Sequence, residues 1–222
     1  MTARRRRPAA FVACVALAAA LGACAHQPDR RFPLQPRASF WSSAAPDSFR
    51  VRIETTRGPF ELEAYRAWAP HGVDHFWQLV RAGYFDDSRF FRVVPDFIVQ
   101  FGIAGDPALA ALWRQRAIPD DPVRRSNTRR LVSYAMTGPD TRTTQLFINL
   151  RDNARLDTQG FAPIGMIVRG MNVVDQLYSG YGETSGGGVR AARQDSLFLG
   201  GNSYLDRAYP RLDRIIRAQV VR

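Results

Sequence analysis

The tightest constraint in the sequence is the stretch Phe90-Phe91-Arg92-Val93-Val94-Pro95-Asp96-Phe97-Ile98-Val99-Gln100-Phe101-Gly102. Two short runs rich in β-branched and aromatic residues flank Pro95, which cannot donate to a sheet ladder and so separates two strands. A single cation, Arg92, sits in the first run and a single amide, Gln100, in the second. Burying an arginine is costly unless its donors find partners, so Arg92 must either pair internally or face a cleft. Further on, Gln145-Leu146-Phe147-Ile148-Asn149 alternates with period two. As a strand it puts Gln145, Phe147 and Asn149 on one face and Leu146 and Ile148 on the other.

These runs, with the segment Gly138-Pro139-Asp140-Thr141 before Gln145-Leu146-Phe147-Ile148, make the chain resemble the cyclophilins, a family of peptidyl-prolyl isomerases. The shared pattern is F-x-R-x-x-P-x-F-x-x-Q-x-G followed by G-P-[ND]-T-x-x-x-Q-x-F-I, and it is specific when both halves occur in this order. The resemblance covers roughly Asp47 to Leu199.

The rest of the chain fits a predominantly sheet-forming domain. Phe49–Thr55 and Phe60–Tyr65 alternate about Gly58-Pro59, as in a β-hairpin. Pro70 opens a helical pattern through Val73, Phe76, Trp77 and Val80, and Gly83 is placed to cap it. His71 and His75 stand four apart there, a spacing that can ligate metal. With no third ligand evident, they read as exposed or capping histidines. Asp106-Pro107 starts a short helix, strands follow near 130–136 and 163–168, and 151–161 reads as loop. Met171 to Tyr178 reads as a short helix, and Gly180 to Gly188 as a glycine-rich loop that lacks a lysine and any ring of phosphate ligands. The tail adds a helix and a strand at 215–221. Short strands without a βαβ rhythm point to an all-β or α+β domain with an antiparallel sheet. The resemblance implies more: a mainly β, closed eight-stranded antiparallel barrel capped by two helices. It places the folded domain at 48–199, with 200–222 as a short carboxy-terminal extension packed on it.

The amino terminus has another character. Arg4-Arg5-Arg6-Arg7 precedes an apolar run that ends in Leu21-Gly22-Ala23-Cys24. A cationic region, a short apolar region and small residues before a cut site read as a secretory signal peptide, and the run is shorter than the about 20 residues that a span needs. The last four residues look like a bacterial lipobox. Residues 1–23 are therefore expected to be a lipoprotein signal, with lipid on Cys24 and a flexible tether over 24–47. Cys14 would leave with the signal, so the mature chain has no thiol for a disulfide or a metal site. The net charge is +11; four arginines and no acids precede Cys24, leaving 11 − 4 = +7. All of the basic charge is arginine, scattered rather than striped, which suits a solvated surface beside anionic lipid better than nucleic acid.

Rotation about a prolyl amide is opposed by about 18–20 kcal/mol of conjugation. A catalyst must hold the ring, favour the twisted amide and donate to the nitrogen once conjugation breaks, without nucleophile, metal or cofactor. Arginine, always charged and with several fixed donors, suits the last task. The resemblance implies that Arg92 is the catalytic arginine. It also implies that Gln100 and Gln145 bind substrate backbone and help to position Arg92. Phe97, Ile98, Phe147 and Leu156 would form the proline pocket, and Ala135 and Met136 the edge along which the peptide lies. The tryptophan common in eukaryotic members is absent, with Arg155 in its neighbourhood, and Phe161 is the nearest match to the usual pocket histidine. Weak cyclosporin sensitivity follows. The expected protein is a monomeric isomerase acting on exported proline-containing polypeptides from the cell envelope, on the outer membrane where there are two. The alternative is a non-catalytic module or chaperone that grips proline segments. A serine hydrolase lacks its G-x-S-x-G motif.

Overall fold

In the computed structural model, which describes residues 38–188 and 194–221, Pro95 separates two strands as its missing donor requires. Val94 accepts from the Phe97 amide at 3.1 Å, closing a four-residue turn with Pro95 second and Asp96, at φ 55°, third. The turn joins β3 (Arg92–Val94) to β4 (Ile98–Phe101). The others are β1 (Ser48–Thr55), β2 (Gly58–Tyr65), β5 (Leu131–Tyr134), β6 (Leu146–Asn149), β7 (Pro163–Arg169) and β8 (Ile215–Val221). They form one eight-stranded sheet in the order β3-β4-β6-β5-β7-β2-β1-β8. Every pairing is antiparallel.

The closed barrel expected from the resemblance is not formed by this ladder. Strands β3 and β8 are the two ends of the order, and no ladder joins them. One isolated bridge, Arg89 to Arg214, links the residues just before each. Arg89, itself buried, pairs there with the exposed carboxylates of Asp206 and Asp87.

The period-two pattern of the first hairpin is realised: Phe49, Val51 and Ile53 are buried while Arg50, Arg52 and Glu54 are not. They meet α2 (Pro70–Ala82), whose Val73, Phe76, Leu79 and Val80 join the same core. Gly83 ends α2 at φ 78° with its amide on the Leu79 and Val80 carbonyls. The first amides of α2 are capped from elsewhere: the Asp121 carboxylate accepts from His71 N at 3.0 Å and Gly72 N at 2.8 Å. The other α-helices among the described residues are α1 (Ala38–Trp41), α3 (Pro107–Arg114), α4 (Met171–Asp175) and α5 (Asp195–Ala208); α2 to α5 stand where the sequence reads helix, and together they exceed the two caps that the resemblance implies.

Four other expectations change. The tether was drawn to residue 47, but from 38 onward the chain is docked. Trp41 packs on Trp113 with ring centroids 4.6 Å apart, Ala45 is buried, and its amide donates to Asp74 at 2.8 Å. The boundary at 199 falls inside α5, and β8 is a full sheet strand beside β1 rather than an extension packed on a finished domain. Residues 151–161 are not plain loop: a 3₁₀ turn at Ala154–Gln159 carries Leu156 inward. His75 is neither exposed nor a cap. It is 6% exposed, between Trp113 and Tyr134, and burial pushes its imidazole down to about 4. The signal, Cys14, Cys24 and the tether up to residue 37 lie outside the described residues.

Candidate functional site

Cross-strand register builds the site. Arg92 on β3 stands opposite Gln100 on β4, and Gln100 stands opposite Phe147 on β6. Residues directly opposite in antiparallel strands share a face, so the three project to one side. Ile98, two residues from Gln100, joins them there. Leu146 and Ile148 point the other way into the main core, whereas Phe147 forms a separate small cluster with Ile98 and Leu156. That division is the alternation read from the sequence.

The cluster floors a cleft of about 580 Å³. Phe97, Ala135 and Phe161 pack around it, and Phe161 meets Phe147 edge to face at 5.6 Å. Met136 and Gln145 also line it, so every site residue expected from the sequence within the folded domain borders this one cleft. Along one wall runs a chain of polar contacts. Nη1 of Arg92 donates to Oε1 of Gln100 at 2.9 Å, Nε2 of Gln100 to Oε1 of Gln145 at 2.8 Å, and Nε2 of Gln145 to Oε1 of Gln194 at 2.9 Å. Arg92 also lies over the Phe97 ring at 5.7 Å, and Arg155 at 4.9 Å.

Below the floor, amides fix the backbone that carries these rings. Asn153 Nδ2 donates to the Phe97 carbonyl at 3.0 Å and to Asn149 Oδ1 at 2.9 Å. Asn127 Nδ2 holds the Phe161 carbonyl and Asp157 Oδ1, both at 2.8 Å. Burial alone would raise the Asp157 carboxyl, but hydrogen bonds from Ser126 and Asn127 outweigh it and hold the group below its ordinary range. Gly102, at φ 100°, lets β4 leave the site: a Cβ there would sit 2.4 Å from the Thr144 carbonyl oxygen.

Sequence reasoning left Arg92 either to pair internally or to face a cleft; it does both, and its main partner was not foreseen. Glu183, in the glycine-rich loop, accepts from Arg92 Nε at 2.7 Å and from Nη2 at 2.9 Å. The one available signal was a lone acid in that loop, some ninety residues from Arg92 in the chain. Gln194, just beyond it, was also missed.

The cleft can hold a compact apolar ring against Phe97, Ile98, Phe147, Leu156 and Phe161, with a fixed cation on one side and amide donors and acceptors beside it. Among the described residues it offers no nucleophile poised beside a base. Comparison with known proteins agrees. A sequence model of the family described as cyclophilin type peptidyl-prolyl cis-trans isomerase/CLD matches residues 50–195. Peptidyl-prolyl cis-trans isomerase A of Dickeya dadantii is 34% identical over 145 residues, covering 60% of this chain and 73% of that protein. Peptidyl-prolyl cis-trans isomerase CYP18-2 of Arabidopsis thaliana is 33% identical over 135 residues, 58% of this chain and 80% of that one. Among solved structures, a cyclophilin type isomerase of Cryptosporidium parvum superposes with a TM-score of 0.55 at 19% identity, over 79% of this chain and 98% of its own. The cyclophilin AquaCyp293 of Hirschia baltica gives 0.57 at 17%, over 79% and 75%. At those identities the structures speak for the fold alone.

Proposed function

The chain belongs to the cyclophilin-type peptidyl-prolyl cis-trans isomerases and is an isomerase of X–Pro bonds in proline-containing peptides; from that premise we propose that Arg92 is the donor that drives it. The carrying observation is Arg92, 6% exposed, held at the edge of an apolar cleft. The proline ring packs on Phe147, Phe97, Ile98, Leu156 and Phe161. Ala135 and Met136 lie along the peptide, and Gln100 and Gln145 take its backbone. As the amide twists, its nitrogen regains a lone pair, and a donor on Arg92 bonds it there. Planar substrate presents no such acceptor, so the bond favours the twisted state selectively, as catalysis requires. A non-catalytic module that only grips proline segments has no need of a charged donor beside the ring. A protease-coupled isomerisation assay on a short X–Pro peptide tests this reading: catalysis well above the spontaneous rate is expected, and its absence in folded protein overturns it.

The setting completes the reading. The protein acts as a monomer on exported polypeptides, held to the envelope by lipid on Cys24. What supports this is the order of a cationic region, an apolar region and Leu21-Gly22-Ala23-Cys24. A single acyl chain binds only marginally, whereas two or three hold stably. Ala25, rather than the aspartate that retains many lipoproteins at an inner membrane, favours the outer membrane in a cell with two. Cys24→Ser should leave the precursor uncut before residue 24, as read by intact mass of the membrane fraction. A soluble, unlipidated wild-type protein cut elsewhere overturns the anchor.

A further inference from the structure

The Arg92 guanidinium has five N–H donors, and three of them are engaged within the protein: Nε and one on Nη2 by Glu183, one on Nη1 by Gln100. Among the described residues, one donor on each terminal nitrogen has no partner. The Glu183 pair is bidentate, the arrangement that fixes the plane of a guanidinium as well as its place. An exposed ion pair would contribute little, but Arg92 is almost fully enclosed, its side chain 7% exposed against 30% for Glu183. β3 is only three residues long and has a ladder partner on one side alone. Its backbone therefore does little to orient a long side chain.

The loop bearing Glu183 is itself anchored. Tyr178 N donates to Asp213 at 2.7 Å, Tyr209 Oη to the Thr184 carbonyl at 3.3 Å, and the Tyr181 ring packs edge-on between Tyr178 and Tyr209. Gly186 lies so close to the arginine stem that a Cβ on it would be 2.7 Å from Arg92 Cβ. The carboxylate is thus presented by an element fastened to the carboxy-terminal part of the chain.

We infer that Glu183 is a positioning residue for isomerisation: its carboxylate sets the plane of the Arg92 guanidinium so that an unengaged N–H already points where the prolyl nitrogen gains its lone pair. A donor oriented beforehand need not reorganise as the amide twists. The inference rests on Arg92 being the donor and adds the means by which it is aimed. Without Glu183 the guanidinium keeps its charge and its Gln100 bond but can rotate. Substrate is then still bound, while the twisted state is stabilised less.

The test is a double-mutant cycle in the full chain, purified in detergent: wild type, Glu183→Gln, Arg92→Ala and both together. Glu183→Ala is a second probe that places no amide donor against the guanidinium. Both Glu183 variants should lower kcat/KM about tenfold and leave the Kd for an X–Pro peptide within about twofold. Added to Arg92→Ala, they should cost nothing further, because they act through Arg92. The ¹⁵N-detected Nε–H signal of Arg92 should be sharp in the wild type and broadened by exchange in Glu183→Gln. A folded Glu183→Gln or Glu183→Ala with wild-type kcat/KM overturns the inference, and so does an equal loss in the presence and absence of Arg92. If Arg92→Ala itself keeps wild-type activity, the donor assignment falls. If Arg92→Ala is inactive and Glu183→Gln is not, only the positioning role falls.

Discussion

Replacing Arg92 by alanine separates chemistry from architecture, and the structure sets both magnitudes. Three hydrogen bonds disappear, two to Glu183 and one to Gln100. Glu183 is 30% exposed and rehydrates, whereas Gln100 is 4% exposed and loses a partner for its carbonyl oxygen. One buried polar group left unpaired costs about 1–3 kcal/mol. Against the about 5–15 kcal/mol typical of a domain, the fold persists. The catalytic loss is larger in effect. A charge-assisted hydrogen bond made only in the twisted state contributes about 1.5–3 kcal/mol, or roughly 10- to 150-fold in kcat/KM. Arg92→Lys should fall between, since one ammonium cannot reach Glu183, Gln100 and the amide nitrogen in the geometry of a fork. The assay is protease-coupled isomerisation, with circular dichroism and a urea midpoint on the same samples. Full kcat/KM in folded Arg92→Ala, or a loss that merely follows the unfolded fraction, would refute the reasoning.

Phe147→Ala removes a ring that is 3% exposed and touches both the pocket cluster and Phe161; it should cost roughly 3 kcal/mol of stability and weaken peptide binding in the protein that remains folded. A stability loss with unchanged peptide affinity would make Phe147 core rather than pocket. His75 should give the domain an acid limit. Its imidazole protonates near pH 6.5 when unfolded and only near about 4 when folded, because burial disfavours the cation. Its contribution to stability is therefore complete above about pH 6.5 and is lost as the pH falls towards 4, by up to about 3 kcal/mol. Urea unfolding at pH 7 and pH 4.5 measures it, and His75→Phe should flatten the difference; an identical pH dependence in the variant would count against the burial account.

What could be read beforehand was whatever short-range pattern determines. The Pro95 break, the period-two faces of β1 and β6 and the Gly83 cap depend on residues within a turn or a strand of each other, and each stands where the sequence placed it. The cleft lining was legible for a different reason: a family-specific order of residue types stood in for contacts that no local pattern encodes. The misses share one physical cause. Trp41 and Ala45 looked like tether because their partners, Trp113 and Asp74, lie on helices far along the chain. His75 looked solvated because the apolar wall that buries it comes from α3 and β5. A 3.6-residue period cannot reveal a second layer of helix packed over a position that is already polar.

The same cause accounts for the least legible part of the site and ties it to the departure from a closed ladder. Because β3 and β8 do not pair, the outer edge of β3 needs another support. Asp213, 6% exposed just before β8, supplies part of it: it accepts from Thr56 Oγ1 at 2.7 Å, from Arg57 Nε at 2.9 Å and from Tyr178 N at 2.7 Å. One carboxylate therefore fastens the β1–β2 turn, the Glu183 loop and the start of β8 together. Immediately beside it Phe90 N donates to the Asp213 carbonyl at 3.0 Å, and Ile215 N to the Ser88 carbonyl at 2.9 Å. Those two bonds set the height at which β3 enters the sheet, two residues before Arg92. The glycine-rich loop, empty of meaning as a phosphate cradle, has its glycine at Gly186 because the arginine stem passes beneath it. Backbone at β3 and carboxylate at Glu183 thus meet Arg92 at one anchored corner, and Asp213 and Ile215, which help to tie that corner together, come from the segment a local reading treats as an appendage.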